Sequence, residues 1–254
     1  MIDLRTGDCI SLAKGLEDNS IDCTVTSPPY NKGGIGGGLF RKIEYAAFDD
    51  TLPEEQYQEQ QIELLDILFE KTKVGGSLFY NHKVRYLDGD ATSPWEWLVK
   101  TKWNIREEIV WNRGSGPEIS GYRFVQSDER IYWLCKGKKH PKLPRRSVHY
   151  NSVWKFGPEM KNPHPAPYPI QLPARCIQAV MSEPGVILDP YSGSGTTGLA
   201  ATLLGHDYIG FDLSDEYHDM ARKRIAEPSK NDMRKFSEET AVSGSDVFSL
   251  AAPK

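Results

Sequence analysis

Apolar positions along the chain recur in two alternating rhythms. Met1 to Asp8 alternates apolar and polar residues and ends at Gly7-Asp8, which predicts a short strand; Ile10, Leu12, Ala13 and Leu16 then follow at helical spacing. The β-branched run Ile21-Asp22-Cys23-Thr24-Val25-Thr26 stops at two prolines and predicts a buried strand that ends abruptly. Residues 54–71 predict a long helix with Tyr57, Gln61, Leu64, Leu65 and Leu68 on one side, closed by Gly75-Gly76 before a strand from Ser77 to His82. Residues 105–111 and 129–135 predict two strands that pair as an antiparallel edge. Ile170 to Met181 predicts a helix leading into the strand Val186 to Asp189. A helix from Thr197 to Leu204, a strand Tyr208 to Asp212 and an amphipathic helix Glu216 to Ile225 follow.

Strand and helix alternate from end to end, so the expected fold is α/β, a doubly wound, mostly parallel sheet with helices on both faces. One catalytic domain is expected over residues 1–228. Between Gly137 and Pro163 the periodicity fades into basic, aromatic and proline residues, including His149, Tyr150, Trp154 and Phe156, and an insertion is expected there. Five glycines in the eight residues Asn31 to Gly38 predict a mobile loop. From Pro228 onward Ser, Lys, Glu and Ala show no strong pattern, and residues 229–254 read as a flexible tail.

Two stretches carry chemistry. In Thr26-Ser27-Pro28-Pro29-Tyr30 the prolines fix φ and remove two amide donors. A rigid cluster of acceptors remains, the Ser27 hydroxyl and the Ser27 and Pro28 carbonyls, followed by an aromatic face at Tyr30. Such a site suits a flat group that donates hydrogen bonds, and an extruded nucleobase is one. A plain Pro-rich turn is the alternative. The second stretch, Asp189-Pro190-Tyr191-Ser192-Gly193-Ser194-Gly195-Thr196-Thr197, is a glycine-rich turn between strand and helix, where the backbone can approach a nucleotide-like cofactor closely. Asp212, at the end of the next strand, can accept hydrogen bonds from ribose hydroxyls.

Ser-Pro-Pro-Tyr followed by Asp-Pro-Tyr-Ser-Gly-Ser-Gly-Thr-Thr resembles the S-adenosylmethionine-dependent DNA amino-methyltransferases, in the permuted beta class that places the catalytic motif first. His164-Pro165-Ala166-Pro167-Tyr168-Pro169 resembles a third motif of that family, and the likeness covers roughly residues 1 to 225. The resemblance implies Ser27, Pro28, Pro29 and Tyr30 as catalytic. It implies Asp8, Pro165, Asp189, Tyr191, Gly193, Ser194, Gly195, Thr196, Thr197 and Asp212 at the S-adenosyl-L-methionine site, although a helix N-cap is an equal reading of Asp8. It also implies that the two motif-bearing strands are neighbours, that residues 137–163 read the target, and that double-stranded DNA is the partner, with a cognate restriction endonuclease and a monomer or homodimer as further expectations. In the family the first motif residue is usually Ser for cytosine N4 and Asp or Asn for adenine N6, so Ser27 favours cytosine. A hydroxyl, which both donates and accepts, can serve the amine and a neighbouring ring atom together.

Composition changes the picture in few places. Of 254 residues, 39% are hydrophobic and 26% charged, as in ordinary soluble proteins. No apolar run approaches membrane-spanning length and the start Met1 to Arg5 is charged, so a cytoplasmic location is expected. Cys9, Cys23, Cys135 and Cys176 lack metal-type spacing, and no metal is expected. The net charge of -4 argues against coating nucleic acid through the overall field. Lys136 to Arg146, however, holds six Lys or Arg and no acid, which nominates Lys138, Lys139, Arg145 and Arg146 for phosphate contact, a solvated basic loop being the alternative. An RNA or small-molecule methyltransferase and a catalytically silent nucleic-acid-binding module are the other function classes carried.

Overall fold

The structure is a computed structural model describing residues 1–31, 50–87, 89–114, 116, 121–137, 143–144, 147–148, 150–160, 162, 164 and 166–249, the side chains of Leu87 and of residues 242–249 excepted. In chain order the elements are β1 Ile2–Thr6, α1 Cys9–Lys14, β2 Ile21–Thr26, α2 Glu54–Lys71, β3 Thr72–His82, β4 Arg85–Leu87, β5 Asp90–Thr92, α3 Trp95–Leu98, β6 Asn104–Asn112 and β7 Asp128–Cys135. They continue with β8 Val153–Lys155, α4 Gln171–Val180, β9 Val186–Asp189, α5 Thr196–Leu203, β10 Asp207–Asp212, α6 Asp215–Ala226 and α7 Lys230–Ser249.

Eight strands form one sheet in the order β1-β10-β9-β2-β3-β7-β6-β8, with β4 and β5 as a separate two-stranded ribbon. Strands β1, β10, β9, β2 and β3 are mutually parallel. β7 runs against both β3 and β6, while β8 runs with β6. Seven strands therefore point one way, and the ends of β1, β10, β9, β2, β3, β6 and β8 lie on the same sheet edge as the start of β7. The pairing of β2 with β9, Thr24 opposite Leu188, makes the two motif-bearing strands neighbours at the centre of the sheet. From there one crossover runs outward through α2 to β3 and the other through α5 to β10, which is the switch point where such sheets bind ligands.

Alternation along the strands divides the core in two. Phe79, Ile131 and Trp133 face α4 and α5, while Leu78, Tyr80, Tyr132 and Leu134 face α1, α2 and α3. Helix α2 buries the expected Tyr57, Gln61, Leu64, Leu65 and Leu68, each leucine contributing about 1.5–3 kcal/mol. The polar member of that stripe is satisfied at both ends: the Gln61 amide donates to the Tyr191 hydroxyl at 3.3 Å and accepts from the Tyr80 hydroxyl at 3.0 Å.

Three local features differ from the sequence reading. Gly75 and Gly76 lie inside β3 rather than before it, in an irregularity where Thr72 pairs with Ile21 and Ser77 already pairs with Cys23. A Cβ on Gly76 would come within 2.9 Å of the Asp22 carbonyl, so only glycine lets the strand pass there. The β6–β7 pair is antiparallel as expected but is not the edge, because β8 pairs outside β6. A three-residue strand is too short to show a period. Within the 137–163 stretch, Trp154 is buried and Tyr150 and Phe156 pack on the core, the usual role of aromatics in such a segment. Finally, the expected tail is helical from Lys230 to Ser249.

Charged side chains hold that last helix. The Arg175 guanidinium donates through Nε and one Nη to both Glu239 oxygens at 2.7 Å, and it lies over the rings of Tyr150, Trp154 and Phe156. Arg224 pairs with Asp232, and Lys235 with Glu159 at 2.8 Å. The Arg175–Glu239 and Lys235–Glu159 pairs join segments 64 and 76 positions apart, so no local pattern announces them. Removing one partner leaves a buried charge unmatched. Arg175→Ala is expected to lower the unfolding free energy by about 3 kcal/mol in urea titrations, and Arg175→Met, which keeps the stem against the rings, by less.

Candidate active site

The end of β2 is fixed by groups remote in sequence. The Thr26 hydroxyl donates to Asp189 at 2.9 Å. Pro28 and Pro29 are buried, and the Pro29 carbonyl accepts from the Tyr57 hydroxyl at 2.8 Å. Asn31 takes φ of 52°, a conformation asparagine tolerates; its N–H donates to Asp50 at 2.7 Å and its side chain donates to the Leu52 carbonyl. The Tyr30 ring leans on His82, with centroids 4.4 Å apart, and Tyr57 holds the other side of that imidazole at 2.9 Å from Nε2. The turn after β2 is thereby a rigid platform supported by α2 and β3.

At its exposed corner four polar side chains converge. Ser27 Oγ lies 2.9 Å from the Tyr30 hydroxyl, which donates to Glu129 Oε2 at 3.0 Å. Asn81 Nδ2 reaches Ser27 Oγ at 3.2 Å, Tyr30 Oη at 2.9 Å and Glu129 Oε2 at 3.0 Å, and Arg113 donates to Glu129 Oε1 at 2.6 Å. Burial pushes Glu129 up, but the cations of Arg113 and Lys83 and the bonds from Asn81 and Tyr30 outweigh it and hold the carboxyl below its ordinary range. An ionised carboxylate only accepts, so it fixes the Asn81 amide with its NH₂ toward Glu129 and leaves Asn81 Oδ1 buried without a partner among the described residues. The same logic orients the hydroxyls. Since Tyr30 donates to Glu129, Ser27 donates to Tyr30, and the outward lone pair of Ser27 Oγ faces the crevice as an acceptor, strengthened by the chain behind it.

The second half of the site lies across the β2–β9 seam. Asp189 is 0% exposed, and its carboxylate accepts from Thr26, from the Tyr191 N–H at 3.1 Å and from the Tyr168 hydroxyl at 2.9 Å. Burial pushes its carboxyl up from 3.8 to about 6 against those donors. The hydroxyls of the turn are similarly engaged within the fold. Thr197 bonds Tyr168; Thr196 accepts from Arg224 at 2.7 Å; Ser194 accepts from Asn162 at 3.0 Å. Asp189, Ser194, Thr196 and Thr197 therefore build the turn from behind. Gly193 has φ of +49°, and a Cβ there would meet His164 Nε2 at 2.9 Å, so the turn closes on the third motif only through glycine. Burial first, and the Arg224 cation second, push His164 down to about 4, so its ring is neutral where it packs on Tyr217.

Asp212 is a partly exposed acid of this half. Its oxygens accept from the N–H groups of Ser214 and Gly193, both at 2.9 Å, and burial still raises its carboxyl. Asp8 stands on the adjoining strand end, where Gly7 N–H bonds the Asp212 carbonyl at 2.9 Å. It accepts from the Ser11 N–H at 2.8 Å, so the N-cap reading holds in the structure. Pro165, Lys138, Lys139, Arg145 and Arg146 lie outside the described residues, as does most of the glycine loop after Asn31. Sequence reading did not single out Asn81, His82, Arg113, Glu129 or Tyr168. Glu129 had one signal, an acid opening an otherwise apolar strand.

A family model described as DNA methylase matches residues 21–223. M.ScaI, a type II methyltransferase of Streptomyces caespitosus, is 28% identical over 260 aligned residues, covering 87% of this chain and 80% of its own. M.SmaI, a type II methyltransferase of Serratia marcescens, is 27% identical and covers 86% and 89%. The fold is shared with PvuII DNA methyltransferase, described as cytosine-N4-specific, at a TM-score of 0.72, 19% identity and coverage of 96% and 93%. It is shared too with a DNA modification methylase of Thermus thermophilus solved with S-adenosyl-L-methionine, at a TM-score of 0.69, 22% identity and coverage of 89% and 93%.

The raised Asp189 carboxyl has a stability consequence. A carboxyl whose folded value exceeds its unfolded value binds its proton more tightly when folded. Its contribution is full below about 4 and is lost as pH rises through about 6. Asp189→Asn keeps the shape without the ionisation. Its stability relative to the parent should rise by about 3 kcal/mol between pH 4 and pH 7, read as the difference between paired urea titrations.

Proposed function

The chain belongs to the DNA methylase family whose model spans residues 21–223, and on that premise we propose that it transfers a methyl group from S-adenosylmethionine to the exocyclic N4 amine of a cytosine flipped out of duplex DNA. The observation that carries the amine-methylation reading is the acceptor corner at Ser27, a hydroxyl whose own proton is directed through Tyr30 to Glu129. Cytosine rather than adenine is favoured by serine as the first motif residue, and a cytosine-N4-specific methyltransferase has the same fold. Type II methyltransferases among the relatives support a place in a restriction–modification pair.

The residues at the β9 and β10 ends fit the methyl donor. Asp212 is an acceptor at a partly exposed strand end, suited to ribose hydroxyls, and the Gly193 turn beside it is closed to any Cβ. Asp8, on the neighbouring strand end, completes the acid pair on that side. When bound, S-adenosylmethionine supplies an electrophilic methyl group on a sulfonium centre.

The chain's own contribution is positioning and proton control. The lone pair of an aromatic amine is delocalised into the ring, which makes it a poor nucleophile. A hydrogen bond from the amine to Ser27 Oγ, with the Pro28 carbonyl beside it, favours a pyramidal nitrogen whose lone pair points across the β2–β9 seam. Once methylated, the nitrogen is cationic and strongly acidic, so even the weak base Glu129 is sufficient. Ser27 Oγ takes the amine proton as its own passes to Tyr30 Oη, and the Tyr30 proton passes to Glu129 Oε2. Atoms balance, and no covalent enzyme intermediate is required; the sequence also lacks a Pro-Cys nucleophile of the kind used at carbon 5. Arg113 keeps Glu129 ionised between turnovers.

Two measurements test this reading. Asp212→Ala should weaken S-adenosylmethionine binding by about 1–3 kcal/mol in calorimetry, with Ser27→Ala unchanged in the same assay; equal affinity for Asp212→Ala would remove Asp212 from the site. Genomic DNA methylated by the protein and digested to nucleosides should yield N4-methylcytosine by mass spectrometry, with turnover reduced on the order of 100-fold in Ser27→Ala. N6-methyladenine as the sole product would replace the base assignment and leave amine methylation standing.

A further inference from the structure

The loop joining β6 to β7 leaves the sheet beside the acceptor corner. Asn112 pairs with Asp128, Arg113 N–H bonds the Ser127 carbonyl at 2.8 Å, and Arg113 and Glu129 themselves belong to the Ser27 network. The loop is anchored at its base. The Gln126 side chain donates to the Val84 carbonyl at 3.1 Å, two residues beyond His82, and Gly116 approaches so closely that a Cβ on it would lie 2.1 Å from the Gln126 carbonyl oxygen. Beyond that clamp stand two aromatic side chains in full solvent: Tyr122 is 101% exposed and Phe124 99%. Arg123 between them turns back, its guanidinium 4.4 Å from the centre of the Tyr86 ring. From Gly121 to Ser127 the sequence carries one cation and no acid.

Two fully exposed rings side by side on an anchored loop are costly to hydrate and add nothing to the core. Tyr122 stands four positions from Gln126, a backbone reach of at most about 14 Å, and the base of the loop adjoins the Arg113–Glu129 pair of the Ser27 network. We propose that Tyr122 and Phe124 form an aromatic wedge that enters duplex DNA at the target step and fills the stack vacated by the flipped base. Aromatic and apolar side chains inserted between base steps offset the unstacking that extrusion costs, and Arg123 lies where it can meet the flanking phosphate. This rests on the DNA-methylating reading above and deepens it by naming the residues that open the duplex.

The test uses the full chain with Tyr122→Ala and Phe124→Ala combined, and a duplex carrying the site mapped from wild-type methylation of genomic DNA. Both rings are solvent-exposed, so the unfolding midpoint and S-adenosylmethionine affinity should be unchanged. KM for the duplex should rise about tenfold or more. The deficit should shrink at least threefold when the target base faces an abasic site, because that base is already unpaired, and Tyr122→Trp with Phe124→Trp should restore the parent KM. An unchanged KM in the alanine variant overturns the wedge while the methyltransferase reading stands. An equal deficit on opened and paired duplex overturns it too, since the rings would then be surface contacts. A wild-type protein that methylates no DNA overturns both readings.

Discussion

The hydrogen bond between Thr26 and the buried Asp189 carboxylate joins strand ends 163 residues apart, and the rest of the site is arranged around that seam. On one side of it stands the acceptor corner, and on the other the glycine turn. Tyr168 and the Tyr191 N–H occupy the remaining positions on the carboxylate, so the side chain that bridges to Thr26 is itself held in place. Burying a carboxyl there disfavours its ionised form, as its rise to about 6 indicates, and the surrounding donors offset part of that. The result is a fixed separation between the Ser27 corner and the glycine turn.

A polar network at the sheet edge must be satisfied in full or it costs more than an apolar one. The Ser27 network meets that demand by terminating on an ion pair. Glu129 accepts from Asn81, Tyr30 and Arg113, and its charge determines the direction of each hydrogen bond between it and Ser27. Asn81 Oδ1 and Arg113 Nε are the exceptions, buried with no partner among the described residues. Because the network draws on β2, β3, β6 and β7, the antiparallel half of the sheet does more than cover a flank. It supplies the ion pair on which the Ser27 network ends.

The same half carries the aromatic loop, so the elements that orient Ser27 also present Tyr122 and Phe124 to solvent. On the opposite flank, α7 closes the molecule through Arg175, Arg224 and Lys235, and Arg224 also donates to Ser194 and Thr196 in the glycine turn. A helix that follows every strand of the sheet is thereby linked through a single guanidinium to the shape of the cofactor side.

The alternation of strand and helix, the α2 stripe from Tyr57 to Leu68 and the two motifs were legible because each is a local pattern: period 2, period 3.6, or a turn chemistry that only proline or glycine supplies. Helix boundaries for α2, α4 and α6 fell within a residue or two for that reason. The resemblance supplied the adjacency of β2 and β9, which spacing alone does not contain. What required the fold was everything set by contacts between distant segments. The strand β8 is too short to have a period, α7 is held by partners outside its own sequence, and the bonds of Asp189 and Thr197 to Thr26 and Tyr168 join segments that lie far apart in the chain. Ser27 was identifiable from its neighbours in sequence, but the direction of its proton was not. That is decided by a carboxylate 102 positions away in number and two bonds away in space, and only tertiary structure converts the one distance into the other.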